Sequence, residues 1–176
     1  WLYRLIGHPV TWMGRLISGL DRNWNRESQT FGRRKAWGIA ALVVLIGVTL
    51  AISFILERFL AGSQLGFVVL VLIAAMLPAQ KSLESHVEAV ATALDTGGLE
   101  AGRKAVSMIV GRDPEQLDEA GVCRAAVESL AENFSDGIVA PAFWLGVAGL
   151  GGGAAYKAAN TADSMIGHRS ARHEAF

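Results

Sequence analysis

From Trp37 to Leu56 the chain runs for twenty residues, WGIAALVVLIGVTLAISFIL, without a charged side chain. As a helix this stretch extends about 30 Å, enough to cross the hydrocarbon core of a bilayer. Arg33, Arg34 and Lys35 stand directly before it, and a basic flank of this kind stays in the cytoplasm. Glu57 and Arg58 mark the far side. After Ala61-Gly62-Ser63-Gln64 a second apolar run covers the thirteen residues from Leu65 to Leu77. It amounts to about 20 Å of helix, and spans fully only if Phe59 to Gln64 joins it. The pattern predicts a transmembrane helical hairpin over 37–79, with Pro78 and Lys81 returning the chain to the cytoplasmic side.

Elsewhere the pattern is amphipathic. In residues 1–36, apolar and aromatic side chains alternate with Arg4, Arg15 and Arg22, as in a segment lying on a membrane surface. His8-Pro9 interrupts it, since a residue before proline avoids the α region, and a helix from Val10 to Leu20 follows; His8 itself reads as structural. Over 80–136, Leu83, Val87, Val90 and Leu94 predict a soluble helix ended by Gly97-Gly98. Leu99 to Val110 predicts a second, closed by Gly111. Asp113-Pro114 then offers a cap with proline at the first helical position, opening a third helical region. In 137–176, Ile138 to Leu150 is apolar but holds Pro141 and runs into Gly149, Gly151, Gly152 and Gly153. It is too short to span alone and predicts a re-entrant or buried Gly-rich segment joining two polar helices. The expectation is one all-α, polytopic membrane domain over 1–176: an amphipathic start, a transmembrane hairpin, a cytoplasmic helical section, then an apolar segment with a polar helix.

Composition agrees with the membrane reading: 52% of the 176 residues are hydrophobic and 18% charged, with a mean hydropathy of +0.35, too apolar for an average soluble domain. The net charge of zero hides a division, because residues 1–35 carry seven Lys/Arg against two Asp/Glu and residues 80–136 carry five against eleven. So short a basic segment is explained by the membrane flank, which leaves no case for nucleic acid as a partner. Cys123 is the single cysteine, so neither an intrachain disulfide nor a cysteine zinc site is available. A start at Trp1 without Met, and an end at Phe176 within a charged, helix-like run, suggest a fragment of a longer chain.

The densest polar chemistry lies between Arg124 and Arg169. Glu128, Glu132 and Asp136 follow at four-residue steps and would line one helix face. Three like charges there repel, by roughly 0.2–0.5 kcal/mol per exposed pair, so a cation is expected among them. Mg²⁺ suits one or two carboxylates plus substrate phosphates, and Asn133 and Asn160 offer neutral oxygens. Equally open is an Arg124–Glu128 pair with the other acids in water. Downstream, Lys157, Asn160, Thr161, Ser164 and His168 recur at three- and four-residue steps, with Asp163 beside them, predicting one polar helix face. Lys157 and Arg169 suit phosphate, as point charge and planar fork. Surfaces that serve only solubility favour Lys and Glu over such amides and hydroxyls.

The chain has no P-loop, GxGxxG, HExxH or Gly-x-Ser-x-Gly elbow. Asp136-Gly137 begins like the metal motif of membrane CDP-alcohol phosphotransferases, but Ala140-Pro141 replace its Ala-Arg and its later paired aspartates are missing. Four blocks in order, HPVTWMGRLI (8–17), GLEAGRKAVSMIVGRD (98–113), RAAVESLAENFSDGIVAPAFW (124–144) and AAYKAANTADSMIGHR (154–169), resemble the CobD/CbiB-type adenosylcobinamide-phosphate synthases of cobalamin biosynthesis. The resemblance covers nearly the whole chain, and family members are longer.

It implies a multi-pass inner-membrane enzyme with its polar site facing the cytoplasm. Such an enzyme joins adenosylcobyric acid to (R)-1-amino-2-propanol phosphate, or a related aminoalcohol, through an amide bond, using ATP and Mg²⁺. On this reading Glu128, Glu132, Asp136 and Asp163 are catalytic and, with Asn133, hold the metal; Asn160 also stands near it. Lys157, Asn160, His168 and Arg169 contact phosphate or carboxylate. Membrane lipid, a second copy or other corrinoid-pathway enzymes are the expected partners. The competing class is a non-enzymatic sensor, transport or scaffold protein of the same superfamily.

Overall fold

The structure, a computed structural model, describes residues 9–78, 80–110 and 113–176, and of residues 80–84 and 86 the backbone alone. Arg4, His8 and Gly111 lie outside the described residues, as do the side chains of Lys81, Leu83 and His86. Among the described residues there is no strand, as the all-α expectation requires. In order the helices are α1 (Pro9–Trp24), α2 (Phe31–Leu60), α3 (Gln64–Ala75), α4 (Gln80–Val106), α5 (Glu119–Phe134), a π-helical segment Ser135–Val139, and α6 (Ala140–Ile166). They fall into two compact units, one made of residues up to Leu77 together with Pro141–Phe176, the other of Pro78–Ala140.

In the first unit α2 is the long apolar helix. Among the described residues, it and the helical run Glu119–Ile166 are the two long and apolar enough to cross a membrane, by length and composition. Ile39, Val43, Phe54 and Phe59 on α2, and Leu65 and Phe67 on α3, are exposed, an apolar belt far larger than a water-facing surface normally carries. The predicted hairpin is present, because α2 turns through Ala61–Ser63 into α3 and the two pack together. Ser63 caps the turn, its hydroxyl accepting from Gly66 N at 3.0 Å. Phe59 and Leu60 belong to α2, so α3 keeps twelve residues, about 18 Å, short of a full crossing.

The second half of α6 runs antiparallel to α2. Leu150 meets Glu57 at one end, Ala158 and Ala162 join a core with Leu45 and Ile17 further along, and Asp163 and Gly167 share a groove with Gly38 at the other end. Leu150, Ala154, Ala158 and Ala162 are the buried face, and four-residue spacing of small side chains lets the helices approach closely. The region expected to be a re-entrant or buried Gly-rich segment is helical, with one break: Ala148 (φ −132°, ψ 24°) and Gly149 (φ 61°, ψ −159°) leave helical geometry. Glycine adopts that positive φ without steric cost.

The second unit packs α4 on α5 around Val90, Val106, Val122, Ala125 and Ala126. The predicted break at Gly97-Gly98 is there, with Gly98 at φ 68°. The helix expected to run to Val110 ends at Val106. The expected cap at Asp113-Pro114 is corrected: Asp113 accepts from Glu115 N at 3.0 Å, closing a turn, and α5 starts at Glu119 under Asp118, whose carboxylate accepts from Gly121 N at 2.6 Å. Asp118 offers the same short acceptor side chain, but at the point where the α4–α5 core begins to demand helix.

Candidate functional site

The candidate residues divide between the units. Glu128, Glu132, Asn133 and Asp136 belong to the second, and Lys157, Asn160, Asp163, His168 and Arg169 to the first. Glu128, Glu132 and Asn133 lie exposed on α5, while Asp136 is half-buried. Asn133 donates its amide to Ser129 O at 2.8 Å and Ser129 Oγ at 3.2 Å, and Ser129 is held by Ile109 O at 3.0 Å. Its remaining polar atom for a cation is therefore Oδ1. Arg124 is drawn to Asp118, at 3.7 Å.

Asp136 falls inside the π-helical segment, where Ala140 N donates to Ser135 O, five residues back. The four-residue spacing could not reveal this, although Pro141 signals it. Proline lacks an N–H for the carbonyl four residues earlier and its ring crowds that carbonyl, and a wide turn just before it relieves the conflict. Wide turns of this kind recur at functional sites.

Lys157, 8% exposed, and Thr161 are buried on α6, and Thr161 Oγ1 donates to Lys157 O at 2.7 Å. Asn160 is half-buried, and Asp163 is exposed at the rim of a cavity of about 340 Å³ lined by Ile17, Gly38, Leu45, Ala162 and Phe176. His168 and Arg169 are not on the predicted helix face. The helix ends at Ile166, Gly167 N closes back on Asp163 O at 2.8 Å, and both side chains lie exposed beyond the turn. Among the described residues no group of three or more His, Cys, Asp or Glu is arranged to hold a metal ion. What these residues offer Mg²⁺ is one or two carboxylates with an amide oxygen, which suits an ion arriving with nucleotide phosphates rather than one caged by protein.

The best-formed polar cluster in the first unit was not read from the sequence. Asp21 receives Arg172 Nη2 at 2.9 Å and Nε at 3.1 Å, and Asn25 Nδ2 at 2.8 Å. Asn25, 3% exposed, also donates to Arg172 O and accepts from Arg34 Nε, each at 2.8 Å, and Arg34 Nη2 reaches Arg172 O as well. His173 Nε2 is buried with no hydrogen-bond partner among the described residues, 3.5 Å from Asp21 Oδ1. Burial pushes the Asp21 carboxyl up, but the hydrogen bonds from Asn25 and Arg172 and the nearby charges of Arg172 and His173 outweigh it and hold it below its ordinary 3.8. Arg34 thus does more than mark a membrane flank. Residues 170–176 form turns docked on α1 and α2 in place of the expected helix-like run.

Together these features define an all-helical protein with an exposed apolar belt and two polar regions on separate units. Residues 3–176 match the family model described as CobD/Cbib protein, and the chain belongs to that family. It is 53% identical over 174 residues to the cobalamin biosynthesis protein CobD of a Sinorhizobium species, an alignment covering 98% of this chain and 54% of the relative. It is 51% identical over 175 residues to that of Rhodobacter capsulatus, covering 99% and 55%, and 54% identical over 181 residues to that of Brucella suis, covering 99% and 54%. The chain spans about half the length of the curated relatives it matches. No solved structure matches it.

Proposed function

We propose that this chain serves cobalamin biosynthesis as part of a membrane-bound amide synthase. The enzyme would join adenosylcobyric acid to (R)-1-amino-2-propanol phosphate, or a related aminoalcohol, giving adenosylcobinamide phosphate at the expense of ATP. The observation that carries this reading is the family match across residues 3–176. The two long apolar helices and the basic Arg33–Lys35 flank support a multi-pass protein of the inner membrane whose polar residues face the cytoplasm.

An amide does not form from a free carboxylate and amine in water at a useful rate. In the proposed sequence a propionate oxygen of the corrinoid attacks the γ-phosphorus of ATP, the bond to the bridging oxygen breaks, and ADP departs with that electron pair. The aminoalcohol nitrogen, after losing its ammonium proton to a carboxylate or water, attacks the acyl carbon, and inorganic phosphate leaves. Phosphoryl transfer asks mainly for positioning and charge neutralisation. Lys157, Asn160, His168 and Arg169 would bind phosphate or carboxylate groups. One or two of the carboxylates of Glu128, Glu132 and Asp136, with the Asn133 carbonyl, would hold the Mg²⁺ that neutralises the nucleotide's charge, and Asp163 on the first unit is a separate candidate ligand.

The test is Mg²⁺- and ATP-dependent amide formation by membranes carrying the protein expressed from its complete gene, wild type beside Glu132→Gln. The expected result is product from wild type and a loss of about 10²-fold or more in the variant at equal membrane insertion. No product with any aminoalcohol would overturn the synthase reading. Full activity in both Glu132→Gln and Asp163→Asn would move the metal elsewhere. Rescue of a cobalamin auxotroph by these variants without measurable ligation would favour a scaffold for other corrinoid enzymes.

A further inference from the structure

The interruption of α6 is held by a side chain from another helix. At Ala148–Gly149 the backbone leaves helical geometry, with Gly149 at φ 61°, and helical geometry resumes at Leu150. Glu57 Oε1, on α2, accepts the Leu150 N–H at 2.9 Å. A methyl group at Gly149 would lie 3.1 Å from the same oxygen, a tight contact that would press the carboxylate back by a few tenths of an ångström. Away from water an unsatisfied amide is costly, and a carboxylate at the start of a helix also meets the positive end of its dipole. The acceptor is thus matched to the break in both geometry and charge.

The bond has a consequence further along. From Leu150 the half-helix runs without another break to Ile166, its small side chains Ala154, Ala158 and Ala162 buried against α2, α1 and Leu77. Small residues permit close approach but resist sliding weakly, because they offer few interlocking shapes. The Glu57–Leu150 bond is a directional contact that sets the height and rotation at which the half-helix starts. Lys157, Asn160 and Asp163 lie two to four turns below it.

We propose that Glu57 is a positioning residue, which through its bond to Leu150 N fixes the half-helix carrying Lys157, Asn160 and Asp163. Its catalytic consequence rests on the amide-synthase reading above; its structural consequence does not. The experiment compares Glu57→Gln, which keeps an oxygen acceptor of the same reach, with Glu57→Leu, which removes it. Both are made in the complete protein with Cys123→Ser and spin labels at Val43 and Ser164, two exposed positions on α2 and α6. Glu57→Leu should shift or broaden the label-to-label distance, and raise KM for at least one phosphate- or carboxylate-bearing substrate about tenfold or more with a smaller change in kcat. Glu57→Gln should restore both.

An unchanged distance in folded Glu57→Leu overturns the proposal, whatever the activity. So does a distance change that Glu57→Gln fails to reverse, since charge rather than the hydrogen bond would then be responsible. Should Glu57→Leu not fold, Glu57→Asp retracts the acceptor by one methylene and tests the same bond; wild-type distance and KM there overturn it. A wild type that inserts but makes no amide sinks the synthase reading alone, and the distance measurement still decides the role of Glu57.

Discussion

The acidic face of α5 and the docked segment 167–176 are both polar and charged, yet they differ in what the surrounding structure does for them. On α5 the carboxylates of Glu128 and Glu132 lie exposed, and no cluster of three metal-ligating side chains forms among the described residues. At the docked segment, Asp21, Asn25, Arg34 and Arg172 come from distant parts of the chain and bind one another within the first unit. Charges brought together by folding satisfy each other and hold structure; charges close in sequence on an exposed helix face stay in contact with water. The first kind should govern stability and the second activity.

Substitutions can sharpen or break that contrast. Gly38→Ala has the largest expected effect on stability, because a methyl there would overlap the carbonyl oxygen of Phe176. Forcing the docked segment off α2 should cost about 3 kcal/mol, seen as a lower denaturation midpoint in detergent. Asp21→Asn keeps the shape but loses the charge that Arg172 meets through two nitrogens, and should cost about 1–2 kcal/mol by the same measurement. Equal stability of Asp21→Asn and wild type would remove the distinction between the two regions.

The same carboxylate carries a pH dependence. Its folded pKa lies below 3.8, so its stabilising contribution is complete above that ordinary value and disappears as pH falls through the lowered one. In the acid limb of an unfolding titration, wild type should lose stability relative to Asp21→Asn until the two converge. In the second unit, Gly98→Ala has open space around it but a φ of 68°, so its cost, about 1 kcal/mol, is conformational alone. The smallest stability effect belongs to Glu132→Gln, within about 0.5 kcal/mol of wild type, although on the amide-synthase proposal it should abolish most amide formation. A large loss of stability there would make the acidic face structural.

Much of the architecture could be read directly from the chain. The apolar length of Trp37–Leu56, the hairpin turn, the break at Gly97-Gly98 and the family resemblance carried by four blocks are local or contiguous signals, and each appears in the structure or in the relatives. Of the candidate site residues, Lys157, Asn160 and Asp163 lie on one helix as the periodicity predicts. His168 and Arg169 were carried too far along that helix, because periodicity does not register a stop when Gly167 is followed by more polar residues. The Asp21–Arg172 cluster gave no signal, its members being an aspartate, an asparagine and arginines that look like ordinary surface residues.

What the sequence determined by itself is the helical class, the apolar lengths and the family, since these depend on composition and short-range order along the backbone. Only the tertiary structure decided which polar groups meet. Glu57, 93 positions from Leu150 along the chain, and Asp21, 151 from Arg172, find their partners through the packing of α2 against α1 and α6. A hydrogen bond is directional and short, so whether two distant groups can form one depends on the height and rotation of whole helices, which no local pattern encodes.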